Sequence, residues 1–411
     1  MPNAVVLVLD RLGSGWLGPY GNTRVDTPAW NRLAAQALLA EFALVDTPDL
    51  ASVYHSYWQG RHALSRQSAS GVSFLADRLA AQGVQTWLVT DEPEVTGHAG
   101  SDGFLHRTVL PAVDADRQAG CVEDTQCARL FATVLEVLEH ARSPFLIWVH
   151  AQAMQGPWDA PQALRCQLAE EGDPDPPEFV APPEVALHAD YDPDHLLGIM
   201  QAYGAQVAAL DVCLGILLDT VWSRPAHEAT ALLATASRGY PIGEHRYVGR
   251  ANQPPYAELV QVPWLVHCPD STMHAVRDRG LVQPPDLFPT LLNWFDVPLP
   301  ETRIWGADLI TEHEGPQRAG EPVVHRDRAC AACGDQRHLR TGAWSLLQLT
   351  ADRVELYTKP DDRWEVNEVS DRCGDVVEEL RGVLAEFEEA AQSDDRCRLR
   401  DLPPSLVDAA E

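Results

Sequence analysis

Lysine is almost absent: of 31 basic side chains in 411 residues, only Lys359 is a lysine and the rest are arginines. Sixty acidic residues outnumber them, and the formal net charge is −29. No Lys/Arg cluster exists, which excludes a nucleic-acid binder, because such binding depends on neutralising phosphates. The acid excess repels anionic membrane surfaces and polyanions at long range and makes a solubilising exterior. No apolar run reaches the roughly 18 residues of a bilayer span. The N-terminus has no basic region, and the short apolar run Ala4 to Leu9 suits a buried strand better than a leader. Cysteine is missing before Cys121, and the nine present form no disulfide framework. Reduced thiols without a leader lead to the expectation of a cytoplasmic protein, with no nucleic-acid or membrane partner.

What is present is an ordinary globular composition, 45% hydrophobic and 22% charged, which rules out wholesale disorder. Up to about residue 310, strand-length apolar runs alternate with amphipathic stretches, the pattern of a largely parallel sheet covered by helices. Strands are predicted at 4–9, 84–89, 145–149, 229–234 and 262–266. Thr27-Pro28 offers an N-cap and a proline at the first helical position. Trp30, Leu33, Ala34, Ala37 and Leu38 continue at helical spacing. Further helices are predicted at 74–82, 125–141, 194–221 and 287–295. The stretch from Glu170 to Asp194, dense in Pro, Asp and Glu, is a surface excursion. A break near Thr311 to Pro322 divides the chain into an α/β domain, 1–315, and a C-terminal α+β subdomain, 316–411. The latter is expected to hold strands at 344–349 and 354–357 and a helix at 375–390.

Asp10 closes the first apolar run. Ligands of parallel α/β sheets bind at the carboxyl ends of strands, so Asp10 stands where a metal is held, although a carboxylate there also serves as a turn former. Leu9-Asp10, Gly18-Pro19-Tyr20-Gly21-Asn22, Val25-Asp26-Thr27-Pro28 and Asn31-Arg32-Leu33-Ala34 together resemble the opening of the sulfatase family, in the alkaline phosphatase superfamily. Gln59-Gly60-Arg61-His62 is similar to the end of that family's signature helix. Phe145 to His150 with Gly156-Pro157-Trp158 is similar to its strand and substrate loop, and Gly243-Glu244-His245 to the loop after its metal-binding strand. Tyr256 to Pro263, Asp286 to Leu292, and Arg340 to Trp344 with Glu355-Leu356-Tyr357 carry the resemblance through nearly the whole chain. It implies a sulfatase-like mainly parallel sheet between helices, sulfuric-ester hydrolysis and a bound Ca²⁺.

At the positions that carry the family's chemistry, this chain differs. The resemblance implies two adjacent metal-binding aspartates, but Asp10 is followed by Arg11, which only donates and opposes a cation's charge. The nucleophile, a Cys or Ser oxidised to formylglycine, falls at Leu50, and the signature arginine at Tyr54. The second metal pair falls on Ser237-Arg238, and the substrate-loop histidine on Gln155. The lysine implied after Gly243-Glu244-His245 is missing, leaving Arg246 or Arg250 to supply charge. One aspartate does not make a divalent-cation site, so no cofactor is expected, with Ca²⁺ at Asp10 as the family alternative. Arg11 and Arg238 both stand at metal positions; an arginine pair replacing the metal's charge, with Arg61, predicts an anion-binding site. Residual catalysis would draw on Asp10, Asp49 and His245, Asp49 doubling as a helix cap. Cys330-Ala331-Ala332-Cys333 needs two more ligands to hold zinc, and His325, His338, Cys373 and Cys397 stand at no diagnostic spacing. Trp58 and Trp158 flank the implied pocket, either as rings for a sugar or as core packing.

The expectation is a sulfatase-like chain that is catalytically degenerate and keeps a pocket for a small anionic or sugar ligand. The alternatives are a working sulfuric-ester or phosphate-ester hydrolase with a rebuilt site, and a non-catalytic partner of an active sulfatase. The discriminating geometry is whether Arg11 and Arg238 enter one cavity with Asp10.

Overall fold

In a computed structural model, which describes residues 2–65, 73–111, 116–225, 229–249, 254–269, 271, 273–301, 304–310 and 326–407, the apolar runs become the middle of a nine-stranded sheet. Along the sheet lie β11 (Val276–Val282), β2 (Leu38–Leu44), β10 (Trp264–His267), β7 (Thr230–Thr235), β1 (Asn3–Leu9), β5 (Phe145–Ala151), β3 (Gln85–Thr90) and β4 (His106–Val109). The two-residue β9 (Gln261–Val262) pairs with β2. From β7 to β4 every pairing is parallel, while β10 runs against both of its neighbours. Every residue of β1, β5 and β7 is buried, as strands covered by helices on both faces must be. The 30-residue helix Pro193–Trp222 packs Ile199, Tyr203, Leu210 and Leu214 into this core. Among the described residues it is the one helix long and apolar enough to cross a membrane, and most of it is buried in the fold. In the loop before it, β6 (Val185–Ala186) pairs with β8 (Tyr247–Val248).

Two local expectations are corrected. The helix predicted from Thr27 through Leu38 stops at Ala34, and Leu38–Leu44 is β2. Leu-Leu-Ala-Glu-Phe-Ala-Leu fits either period, and pairing with β10 and β11 decides for a strand. The Thr27 side chain does not cap the helix Pro28–Ala34. Its Oγ1 accepts from Gly18 N at 2.9 Å, and the Asp211 carboxylate takes Ala29 N and Trp30 N at 3.1 and 3.0 Å.

A second core lies under the antiparallel meander β12 (Arg328–Cys333), β13 (Gln336–Thr341), β14 (Trp344–Gln348) and β15 (Val354–Thr358). The helix Gly374–Gln392 brings Leu380, Leu384 and Phe387 against Leu339, Leu346 and Leu356, with Trp305 joining from before the meander. The predicted break at 311–322, with the division at 315/316, lies outside the described residues, as do His325 and Arg250. None of the nine cysteines is in a disulfide. Cys330 belongs to the second core; Cys333, three residues along the strand, points to the other face, so the two do not form a pair of ligands.

Candidate functional site

Parallel pairing sets Val8 of β1 opposite Thr235 of β7, so two residues on, Asp10 and Ser237 leave the sheet side by side. β5 places His150 opposite Val8 on the other flank. Ser237 Oγ donates to Asp10 Oδ1 at 2.6 Å. Arg238 closes a fork on the same carboxylate, Nε to Oδ1 at 2.9 Å and Nη2 to Oδ2 at 2.8 Å, while Nη1 donates to Pro48 O at 3.0 Å. Gly239 lets the chain just past Arg238 pass close to the helix Ala257–Val260: a Cβ there would lie 2.1 Å from the Glu258 carbonyl oxygen. Asp10 is wholly buried. Burial pushes its carboxyl up, but the charge and hydrogen bonds of Arg238, with His150 and Ser237, outweigh it and hold the group below the usual carboxylate range.

Beside this cluster the His150 Nδ1 meets the Tyr54 hydroxyl at 2.7 Å, and Trp148 Nε1 donates to the same hydroxyl at 3.3 Å. Burial lowers the imidazole to about 4, Asp10 opposing the shift and Arg238 adding to it, so His150 is neutral at pH 7. Its buried Nε2 has no partner among the described residues.

Arg11 sits in the left-handed backbone region at φ 61°, a conformation that costs a non-glycine residue on the order of 1 kcal/mol. Tyr203 fixes it: the hydroxyl donates to Arg11 O at 2.8 Å and accepts from Gly13 N at 3.0 Å. The guanidinium lies 5.5 Å from the Tyr240 ring centroid, and Nη2 donates to the half-exposed Glu184 at 3.0 Å. Arg11 and Arg238 line one cavity of about 350 Å³ with Thr47, Asp49, Tyr240 and Cys333. Asp10 is not among its walls; it lies beneath Arg238.

A Ca²⁺ ion takes about six to eight oxygen ligands. Here Asp10 spends both oxygens on Arg238 and Ser237, and the adjacent side chains are cations or donors. The residues do not fit a divalent cation, and no group of three or more His, Cys, Asp or Glu suited to a metal gathers elsewhere among the described residues.

The remaining predicted residues divide. Asp49 is on the cavity wall, but its carboxylate accepts from Ser52 N at 2.9 Å and caps the helix Leu50–Gln59. Leu50 and Tyr54 are buried apolar and aromatic packing. His245 is not brought to Asp10. The turn from Gly243 to Arg246, with both end residues at positive φ, swings it toward the meander. There Nδ1 meets Glu258 Oε1 at 2.7 Å, Nε2 meets Glu365 O at 3.0 Å, and the ring stacks on Tyr256 at 3.6 Å. Burial would lower this imidazole, but the hydrogen bond and charge of Glu258, with Glu365, raise it to about 9. Arg61 likewise faces the second core and pairs with Asp394 instead of lining the cavity. Trp58 and Trp158 are fully buried, so both are core packing. Tyr203, Tyr240 and the orphaned His150 escaped sequence reasoning; only the closing histidine of the apolar run 145–150 offered a signal.

A family model described as Sulfatase matches residues 2–297. Human iduronate 2-sulfatase is 23% identical over 306 residues, 59% of this chain and 56% of its own length. Choline-sulfatase of Rhizobium meliloti (strain 1021) is 25% identical over 175 residues, 42% of this chain and 33% of its own. The chain thus spans about half or less of these curated relatives. Among solved structures, the phosphonate monoester hydrolase of Agrobacterium radiobacter superimposes with a TM-score of 0.78 at 16% identity, covering 95% of this chain and 96% of that one. A 2-O GAG sulfatase gives 0.74 at 18% identity, covering 98% and 95%. Those identities speak for the fold alone, whereas the family match extends over most of the sequence, and on that ground this chain belongs to the sulfatase family.

Proposed function

We propose that this chain is a non-hydrolytic member of the sulfatase family whose cavity beside Arg11 and Arg238 takes a small anionic ligand. The observation that carries the reading is the fork of Arg238 on Asp10, closed by Ser237. A fixed guanidinium supplies one positive charge and N–H donors, but it cannot act as a Lewis acid or generate a metal-bound hydroxide. Leu50 has no nucleophilic atom, and Asp49 is held as a cap. What remains is one cavity walled by two arginines, Arg238 held on Asp10 and Arg11 on Glu184, whose remaining N–H groups can donate to a sulfate, phosphate or carboxylate group. Across Tyr240 a neighbouring cleft carries Trp16 and Trp364, rings that suit a sugar face, so a sugar bearing an anionic group matches both. The acid excess supports a small ligand over nucleic acid or a membrane surface.

The test is metal analysis of the purified protein with assays of aryl sulfate, phosphate and phosphonate esters. We expect no stoichiometric metal, no turnover and a melting temperature indifferent to chelator. A sugar sulfate should bind saturably, and about tenfold more weakly to Arg11→Gln. Turnover that Asp10→Ala abolishes would overturn this reading in favour of a rebuilt sulfuric-ester or phosphate-ester hydrolase.

A further inference from the structure

We propose a second anion site, separate from the cavity beside Arg11 and Arg238, at the junction of the main sheet and the C-terminal meander. Its ligand class is a small molecule carrying a phosphoryl or sulfuryl oxyanion. A cavity of about 390 Å³ there is lined by Arg277 of β11, Arg340 of β13, and Lys359 and Arg363 after β15, with Phe42 and Glu41 of β2. It shares no wall residue with the cavity beside Arg11 and Arg238, and it adjoins the Trp16 cleft through Gly21, Gln261 and Arg363. Its volume is in the range of small-molecule pockets, about 300–1,000 Å³.

Four cations around one cavity are conspicuous in a chain with 31 basic and 60 acidic side chains. Two of them, Lys359 and Arg340, are only 6% and 4% exposed, and Lys359 is the sole lysine. Neutral carbonyls orient all four. Arg277 Nη2 donates to Pro19 O at 2.7 Å, and Arg363 Nη2 to Tyr20 O at 2.8 Å. Arg340 Nη1 reaches Gly342 O at 3.3 Å and Trp344 O at 3.2 Å; Lys359 Nζ reaches Asp362 O at 2.8 Å. Carbonyls aim a cation without cancelling its charge.

Among the described residues two carboxylates pair closely with the four, and both are shared; Asp362 acts on Lys359 from farther off, its oxygens accepting from Val366 N and Asn367 N. Glu41 lies 3.5 Å from Arg277 and also faces Arg279 at 3.5 Å. Glu365 lies 3.3 Å from Lys359 and 3.8 Å from His338. Arg340 has hydrogen bonds at Nη1 alone among the described residues, and its guanidinium lies 5.1 Å from the Phe42 ring centroid. Nε and Nη2 therefore keep the forked edge that matches an oxyanion. Surplus positive charge, pre-aimed and partly desolvated, is what a phosphoryl or sulfuryl group would satisfy. The overall charge of −29 keeps long polyanions away while leaving a small ligand access.

Calorimetric titration of the full chain with pyrophosphate, and separately with inorganic sulfate, tests this and distinguishes the two oxyanion sources. Arg277 and Arg363 are exposed at the rim, so Arg277→Gln and Arg363→Gln do not endanger the core. In an Arg11→Gln background, which weakens the first anion site, saturable binding of at least one probe is expected, about tenfold weaker when Arg277→Gln or Arg363→Gln is added. Adding Arg107→Gln, whose partner is the remote Asp102, should leave it unchanged. Absence of saturable binding by both probes overturns the proposal. So does a loss that follows Arg107→Gln instead of the rim arginines.

Discussion

At Arg238 the cost of burying a guanidinium is met by one carboxylate, because both Asp10 oxygens accept from it and Ser237 donates to one of them. Removing one partner leaves the other as an uncompensated buried charge. Arg238→Met is therefore expected to lose about 3–5 kcal/mol of folding stability, while the double change Asp10→Leu/Arg238→Met recovers most of it. Urea denaturation of the wild type, both single variants and the double variant reads the coupling directly. Additive losses would show that the fork is not a unit. The residue types of this pair are plain in the sequence, where Arg238 replaces a metal ligand implied by the family resemblance. Their contact, across 228 positions, depends on the β1–β7 register. Asp49 is the converse case, since its identity admitted a catalytic role and its hydrogen bond to Ser52 assigns it to capping.

Among the elements, the loop from Gly243 to Arg246 and the short helix Ala257–Val260 act as a latch between the two cores. His245 bridges Glu258 on one side and the Glu365 carbonyl on the other. Its folded value is raised from 6.5 to about 9, so its stabilisation is whole below the unfolded value and drains as pH climbs toward and past 9. Glu244, raised to about 7 by burial first and then by Glu258, loses stability with the same sign over a lower window, from 4.5 upward. Urea midpoints measured between about pH 7 and 10 should fall, and His245→Gln should flatten that upper part of the profile. An unchanged slope in the variant would assign the decline elsewhere. The elements themselves were legible where apolar residues run unbroken, as in Ala4 to Leu9 and Phe145 to Val149. β11 and β13, Val-Arg-Asp-Arg-Gly-Leu-Val and Gln-Arg-His-Leu-Arg-Thr, escaped detection because their polar residues hide the strand period.

For the whole molecule, a net charge of −29 means that compaction works against self-repulsion. Thermal midpoints should rise as sodium chloride goes from about 0.05 to 0.5 M, since screening shortens the reach of surface repulsion to a few ångströms. A midpoint that falls instead would mean that the surface ion pairs, such as Arg32–Asp219, outweigh the global field. The same excess makes each inward-facing cation informative. Arg11, Arg238, Arg340 and Lys359 are all buried, and they gather at two cavities.

Composition, the alternation of strands and helices, and the replaced residues at 11, 50, 54, 237 and 238 were determined by the sequence alone, because they depend on residue identity and local period. Only the tertiary structure decided which charges meet. It set Arg238 on Asp10, turned His245 and Arg61 toward the meander, and gathered four cations from three separate segments. Such pairings follow from strand register and turn conformation, which bring together residues that no local pattern relates.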